Sequence, residues 1–171
     1  AFVAFALAQP GMDIGASAGL RTVILMDRSA SMGATDLGEG RTRLDEAKRR
    51  ATDMVERHFA GGLFAASPGE VMVVAFSDGA EVLQPFTRSK ADALRAIESI
   101  EPTDGGSSIS EALALSRAYT TVTNPDDPKA VLSSPAAYQL FSDGRISDLG
   151  TETARPGEEF VFHVTGRADA T

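Results

Sequence analysis

Three short segments of the chain are rich in oxygen-bearing side chains and follow apolar runs or glycines. The first is Asp27-Arg28-Ser29-Ala30-Ser31, the second is Gly105-Gly106-Ser107, and the third contains Asp143. Carboxylate and hydroxyl oxygens suit hard cations such as Mg²⁺, Mn²⁺ or Ca²⁺. Imidazole and thiolate ligands are scarce, because the chain has two histidines and no cysteine. The residue types therefore predict a site for a hard divalent cation.

The spacing of the first segment favours convergence on one point. In an extended loop, residues two apart point the same way, so Asp27, Ser29 and Ser31 are expected to face one ion. If one of the two carboxylates binds through water, the ion keeps net positive charge and an open coordination position. The nearest biological anion for that position is a partner's Asp or Glu side chain. A helix beginning near Ser107 is expected to add its positive N-terminal dipole.

Buried strands alternating with amphipathic helices predict the scaffold that positions these segments. Helical periodicity predicts helices beginning near residues 44, 89 and 109. A short partner strand is expected at 81–83, and a proline-containing surface loop at 124–135. The order predicts an α/β fold, with a Rossmann-like, doubly wound, mostly parallel sheet and helices on both faces. Apolar runs predict its main strands at 22–26, 71–76, 137–141 and 159–164.

Length and composition indicate one globular domain. The chain has 171 residues, is 43% hydrophobic and carries a formal net charge of −8, which disfavours nucleic acid and anionic membrane surfaces as partners. Residues 1–20 are expected to form an apolar leader and linker, and residues 21–171 the domain. We interpret the apolar run at 1–8 as the end of a transmembrane helix. The alternative is a strand or short helix packed on the domain.

Together, the three segments resemble the metal-ion-dependent adhesion site of von Willebrand factor type A (VWA) domains. The resemblance runs from about residue 22 to the C-terminus, and the family usually carries threonine where Ser107 stands. The third segment is Leu140-Phe141-Ser142-Asp143-Gly144. The resemblance implies a VWA-like fold and a site that binds Mg²⁺, or Mn²⁺ or Ca²⁺. The implied ligands are Asp27, Ser29, Ser31, Ser107 and Asp143.

Two positions of the implied site have competing candidates. Ser108 adjoins Ser107 and leaves the register open by one residue. Asp78 lies in a second Phe-Ser-Asp-Gly motif, but Asp143 is preferred because it follows the glycine-serine segment in the family's order. Asp36 is interpreted as a turn residue, with a supporting role near the metal as the alternative.

The resemblance implies a protein-binding domain for adhesion or scaffolding, not an enzyme. One alternative is a structural VWA domain with a degenerate metal site in a larger membrane protein. It is favoured by the serine at 107 and by the chain's end, where family members usually continue with another strand and helix. A metal-assisted hydrolase is disfavoured, because no histidine or lysine is placed near the segments as a general acid or base.

The family context also bears on location. Many bacterial family members place the domain directly after a membrane helix. The resemblance therefore implies a membrane-anchored parent protein with the domain on the extracytoplasmic, periplasmic side. A cytoplasmic location is the alternative.

Overall fold

The computed structural model describes residues 21–60, 69–124, 127–133, 136–152, 154–155 and 158–166 of the chain. The strands are β1 (Arg21–Asp27), β2 (Val71–Phe76), β3 (Ala80–Thr87), β4 (Thr121–Asn124), β5 (Asp127–Ser133), β6 (Ala136–Ser142) and β7 (Glu158–Val164). The helices are α1 (Arg43–Phe59), α2 (Lys90–Glu98) and α3 (Ser110–Thr120), and a 3₁₀ turn at Ala30–Gly33 follows β1. The predicted leader at 1–20 lies outside the described residues.

The main sheet has the strand order β3-β2-β1-β6-β7. Strand β1 is parallel to both β2 and β6, β6 is parallel to β7, and only β3 runs antiparallel. Every residue of β2 and β6 is buried, as is all of β1 after its first residue. Burial on both faces explains why these strands consist mainly of apolar residues, and the predicted mostly parallel sheet is confirmed.

Two apolar cores lie on opposite faces of the sheet. Ile24 and Met26 face the core formed with α1 and α2, whereas Val23 and Leu25 face the core formed with α3. This alternation is the two-residue period of a strand buried between two helical layers. The predicted helices on both faces are confirmed. No helix in the part of the chain that the structure describes is long and apolar enough to cross a membrane.

The first helix begins with a capping box. The Thr42 hydroxyl accepts a hydrogen bond from the Asp45 amide at 3.0 Å, and the Asp45 carboxylate accepts one from the Thr42 amide at 2.9 Å. These bonds satisfy amides that have no partner inside the helix, and they fix where α1 begins. Arg43 is consequently the first residue of α1, close to the end of the loop that follows β1.

The predicted surface loop at 124–135 is wrong. Strands β4 and β5 pair antiparallel there, with Thr123 opposite Val131. The prediction of a loop relied on the prolines and aspartates of this stretch and gave less weight to its Ala-Val-Leu run, which favours a strand. A two-stranded ribbon has an unpaired edge on each strand, so a proline without an N–H is tolerated. Strand β3 lies at the edge of the main sheet, so it too can include a proline, Pro85, without losing a hydrogen bond to a second neighbour. It is therefore longer than the predicted strand at 81–83.

Candidate metal-binding site

The three oxygen-rich segments meet at the carboxyl ends of β1 and β6. Met26 pairs with Phe141, which brings Asp27 level with Ser142 in the neighbouring strand. Backbone hydrogen bonds tie the intervening loops together: the Ala30 amide donates to the Gly105 carbonyl at 3.0 Å. The three segments that a common metal site requires are therefore close together, because the parallel strands β1 and β6 end at the same edge of the sheet.

Asp27 is the centre of this grouping. Its side chain is fully buried, with no exposed surface. One oxygen, Oδ1, accepts a hydrogen bond from the Ser29 amide at 2.9 Å. The other, Oδ2, accepts from the hydroxyls of Ser107 at 2.9 Å and Ser142 at 2.6 Å. Within the described residues no basic side chain pairs with Asp27, so hydrogen bonds alone compensate a buried negative charge.

Ser29 and Ser31 lie beside Asp27, with their hydroxyl oxygens 3.3 Å apart. The expected reason for this convergence is wrong for Ser31. Ser29 is extended, but Ser31 lies in the 3₁₀ turn, where the Met32 amide donates to the Ser29 carbonyl at 2.9 Å. The turn, not an extended loop, brings the two hydroxyls together.

The two candidate serines of the second segment point to different partners. Ser107 donates to Asp27, whereas Ser108 donates to Asp148 at 2.7 Å. Asp148 also accepts hydrogen bonds from the amides of Ile109 at 2.8 Å and Ser110 at 3.0 Å, and from the Ser110 hydroxyl. The geometry therefore associates Ser107, not Ser108, with the Asp27 group.

The Asp148 carboxylate caps the N-terminus of α3, and no sequence motif identified this residue. Burial opposes ionisation of Asp148, but the hydrogen bonds from Ser110, Ser108 and the two backbone amides outweigh it and hold the pKa below its ordinary value. Because these amides already face a carboxylate, the expectation that α3 directs its N-terminal dipole at an ion near Ser107 is not supported.

Asp143 is adjacent to Ser142 but has different partners. Its Oδ2 accepts a hydrogen bond from Arg43 Nη1 at 2.6 Å, and its Oδ1 accepts from the Arg145 amide at 3.1 Å. The Arg43 guanidinium also forms a two-bond pair with Asp36, at 2.9 Å for each bond. The structure thus joins Asp27, Ser29, Ser31 and Ser107 in one hydrogen-bonded group and places Asp143 beside it in a buried ion pair.

Hydrogen bonds with acidic partners reinforce the charge of Arg43. The hydrogen bond to Asp36 is the largest effect, and together with the bond to Asp143 it raises the pKa of Arg43 against the opposing effect of burial. Asp36 therefore has a role beyond that of a turn residue, because it holds the Arg43 guanidinium that contacts Asp143.

Asp78 also borders the site. It is exposed, accepts a hydrogen bond from the Ser77 hydroxyl at 3.1 Å, and lies against the backbone of Gly105. A Cβ atom added at Gly105 would lie 2.7 Å from Asp78 Oδ1, so a side chain at position 105 would displace the Asp78 carboxylate. The second Phe-Ser-Asp-Gly motif is thus a turn that packs on the second oxygen-rich segment.

The residues present fit a hard cation. Asp27 supplies a buried carboxylate that has no basic partner among the described residues and accepts hydrogen bonds from the hydroxyls of Ser107 and Ser142. The hydroxyls of Ser29 and Ser31 form a pair in the adjacent turn. Among the described residues, no three acidic or histidine side chains cluster closely enough to hold a metal ion by themselves. Neutral oxygens would therefore complete the coordination, which suits Mg²⁺ or Mn²⁺ and leaves the ion positively charged.

Sequence reasoning missed Ser142 and Arg43 as well as Asp148. Ser142 carried a usable signal, because it directly precedes Asp143 at the end of a buried strand and parallel neighbours align there. The sequence contains no such signal for Arg43, because its contact with Asp143 joins residues 100 positions apart.

Solved structures share this fold. An aerotolerance-related membrane protein from Bacteroides fragilis is 24% identical, with a TM-score of 0.67 over 88% of this chain and 70% of that chain. Proximal thread matrix protein 1 from the mussel byssus, described with a zinc-occupied MIDAS motif, is 18% identical, with a TM-score of 0.57 over 84% of this chain and 37% of that one. At these identities the likeness shows the fold alone.

A third structure contains the type V pili tip protein Mfa5 from Porphyromonas gingivalis. It is 21% identical, with a TM-score of 0.57 over 75% of this chain. The present chain spans only 20% of that structure's chain. No curated protein sequence matches significantly. The profile of the von Willebrand factor type A domain matches residues 22–133, which is more than half of the sequence. The chain therefore belongs to the von Willebrand factor type A domain family.

Proposed function

We propose that this domain binds a partner protein through a divalent cation, Mg²⁺ or Mn²⁺ or Ca²⁺, and serves adhesion or scaffolding. The proposed ligands are Asp27, Ser29, Ser31, Ser107 and Asp143. The observation that carries the proposal is the buried Asp27 carboxylate, which has no basic partner in the described residues and accepts hydrogen bonds from two serine hydroxyls and one backbone amide. A buried charge of this kind is costly without a counter-charge, and a bound cation would supply one.

The charge balance of the site favours a carboxylate as the partner's ligand. Asp27 brings one uncompensated negative charge, while the charge of Asp143 is shared with Arg43. A divalent cation held mainly by Asp27 and neutral hydroxyls keeps net positive charge. An Asp or Glu side chain of a partner is the simplest group that neutralises it. The mussel protein, which shares this fold, is described with a zinc-occupied MIDAS motif, and this supports a divalent ion in a domain of this kind.

Calorimetric titration of Mg²⁺ and Mn²⁺ into wild type and Asp27→Asn tests the metal site. We expect saturable binding to wild type that Asp27→Asn abolishes. Asp143→Asn and Asp78→Asn form a matched pair, because both aspartates occur in Phe-Ser-Asp-Gly. Asp143→Asn is expected to weaken metal binding and Asp78→Asn to leave it within about twofold. Unchanged binding in Asp27→Asn would disprove the site.

Binding of a short acidic peptide tests the partner chemistry. The probe is a peptide with one central Asp, and its control carries Asn at that position. We expect the Asp peptide to bind in Mg²⁺, to be released by EDTA, and to lose binding when Asp is replaced by Asn. Equal binding of both peptides, or binding that survives EDTA, would contradict a cation-bridged carboxylate.

The degenerate structural alternative has one observation in its favour. Asp143 is engaged by Arg43 at 2.6 Å and so is not a free anionic ligand in this structure. If folded wild type bound neither Mg²⁺ nor Mn²⁺, this alternative would replace the proposal.

We further propose that the domain is not an enzyme. The basic side chains that contact Asp143 are arginines 43 and 145, and arginine is too basic to act as a general acid or base at neutral pH. Turnover of a generic phosphate or ester substrate in Mg²⁺, lost in Asp27→Asn, would contradict this.

For the parent protein we propose membrane anchorage through the segment preceding the domain, with the domain on the extracytoplasmic side. The support is the apolar sequence at 1–8 and the similarity to an aerotolerance-related membrane protein and a pilus tip protein. A topology reporter fused after residue 171, with the native upstream segment retained, tests the orientation. A cytosolic signal would disprove it.

A further inference from the structure

Arg43 is a buried cation beside the proposed metal site. Its side chain is 8% exposed and that of Asp143 is 3% exposed. Nε and Nη2 of Arg43 bind Asp36, while Nη1 binds Asp143 at 2.6 Å. The guanidinium thus uses its fork on one carboxylate and a remaining N–H on the other. This arrangement fixes the position of the Asp143 side chain and places a positive charge next to its carboxylate.

Packing also holds Arg43 in place. Gly166, with φ of +125°, lies so close that a Cβ there would be 3.1 Å from Arg43 Nε. Gly166 follows Thr165, whose amide donates to the Ser142 carbonyl at 2.9 Å. The guanidinium is therefore confined between its two carboxylates and the chain after β7. It is not a surface side chain that can turn away into solvent.

The two carboxylates of the site consequently differ in charge compensation. Asp27 has hydrogen bonds from neutral groups only, whereas Asp143 has an ion pair. A carboxylate that accepts a short bond from a guanidinium is a weaker metal ligand, because part of its electron density is already engaged. It still has lone pairs for a water molecule, since each of its oxygens accepts one hydrogen bond from Arg43 or Arg145.

We propose that Arg43 is a positioning residue. Its ion pair with Asp143 keeps that carboxylate beside the metal ion and offsets its negative charge. By preventing full anionic ligation by Asp143, Arg43 keeps a cation at Asp27 electropositive and receptive to a partner's carboxylate. This inference rests on the proposed function. It assigns Arg43 a role in partner affinity that is distinct from stabilising the fold.

The inference predicts effects of opposite sign on two ligands. In Arg43→Gln the charge is removed while a hydrogen-bond donor remains. The negative charge of Asp143 is then no longer offset by the Arg43 guanidinium, so the metal ion binds more tightly and the partner's carboxylate binds less tightly. A residue with a purely structural role would not separate the two affinities, because loosening the loops weakens both.

The experiment measures Mg²⁺ affinity by calorimetry and Mg²⁺-dependent affinity for the single-Asp peptide. We expect Arg43→Gln to raise Mg²⁺ affinity about fivefold and to lower peptide affinity about fivefold, as one unit charge near the ion implies. Arg43→Lys retains the charge and is expected to restore both affinities to within about twofold. Arg49→Gln is the control, because it removes the charge of an exposed arginine of the same helix that pairs with Glu46 and Asp53; we expect both affinities near those of wild type.

Arg43→Gln leaves two acidic partners without their cation, so its folding is checked by circular dichroism. If it does not fold, the double variant Arg43→Gln, Asp36→Asn also removes the carboxylate that Arg43 leaves unpaired. Asp143 still loses its cationic partner, so both affinities are expected to change in the same directions. A fall in both affinities, or no change in either, would overturn the role of Arg43 while leaving the metal site intact. Wild type that binds no Mg²⁺ would instead overturn the proposed function and this inference with it.

Discussion

Replacing Asp27 and Asp143 separately by asparagine should change the stability of the metal-free domain differently, although both replacements should reduce its stabilisation by Mg²⁺. Asp27 is buried without a basic partner in the described residues, whereas Asp143 is buried in an ion pair with Arg43. Both variants should lose stabilisation by Mg²⁺. Only Asp143→Asn should lower stability when no metal is present.

The change in the free energy of unfolding caused by Asp27→Asn in the absence of metal is the sum of two contributions that nearly cancel. Asp27 accepts three hydrogen bonds, from Ser29, Ser107 and Ser142. Each loses about 1 kcal/mol when the acceptor becomes neutral, since charged and neutral bonds differ by about that amount. Removing an uncompensated buried charge returns several kcal/mol (~3–4). The two serine hydroxyls can rotate to suit an amide. We therefore expect stability between about unchanged and about 1 kcal/mol higher, which raises Tm by at most ~4 °C.

Asp143→Asn leaves Arg43 with Asp36 as its acidic partner. The loss of one charge-assisted bond in a site 3% to 8% exposed is expected to cost about 2 kcal/mol, a decrease in Tm of about 4–8 °C. Mg²⁺ at 100 times its Kd should stabilise wild type by about 2.7 kcal/mol. For a domain of this size the corresponding increase in Tm is about 5–10 °C.

The assay is thermal unfolding followed by circular dichroism, in EDTA and at saturating Mg²⁺, for wild type and both variants. If Asp27→Asn in EDTA unfolded more than about 4 °C below wild type, the argument that its charge is uncompensated would be refuted. If Asp143→Asn kept the wild-type Tm in EDTA, the Arg43 ion pair would contribute nothing measurable, and that step would fail instead.

Three further predictions follow from neighbouring residues. Calorimetry should show that Ser107→Ala weakens Mg²⁺ binding about tenfold or more, whereas Ser108→Ala leaves it within about twofold. The reverse result would make Ser108, not Ser107, the metal ligand of the second segment. Asp148→Asn removes the charge that caps α3 and should cost about 1–2 kcal/mol in denaturant unfolding, without affecting Mg²⁺ affinity. Burial, with a smaller effect of nearby arginines, lowers the pKa of His163 from 6.5. The unfolded state therefore binds the proton first as pH falls below 6.5, so stability should decrease on acidification, and His163→Gln should reduce that decrease in Tm measured between about pH 7.5 and pH 5.

Periodicity sufficed to predict the elements that carry the site. The apolar run at 22–26 and the helical spacing from Leu44 to Phe59 correspond to β1 and α1. The helix predicted to begin near residue 89 is α2, where the Ser89 hydroxyl caps the helix by accepting a hydrogen bond from the Asp92 amide at 3.3 Å. Such signals are local, because a strand or a helix start is specified by side chains within one or two turns of chain.

The hairpin of β4 and β5 shows where local signals mislead. Prolines and aspartates favour loops in isolation, but pairing with a second strand supplies backbone hydrogen bonds that single-segment reasoning does not count. For the site, the oxygen-rich segments and their common location were predictable, since parallel strands end at one edge of the sheet.

By itself, then, the sequence determined the kind of chemistry available: hard oxygen ligands, with two candidate carboxylates at strand ends. Only the tertiary structure decided how those carboxylates differ. Asp27 lies among hydroxyls from β6 and the loop before α3, while Asp143 faces Arg43, a residue 100 positions away. Charge compensation depends on distances of a few ångströms between segments far apart in the chain. Such distances are fixed by strand register and loop packing, not by the spacing of residues along the sequence.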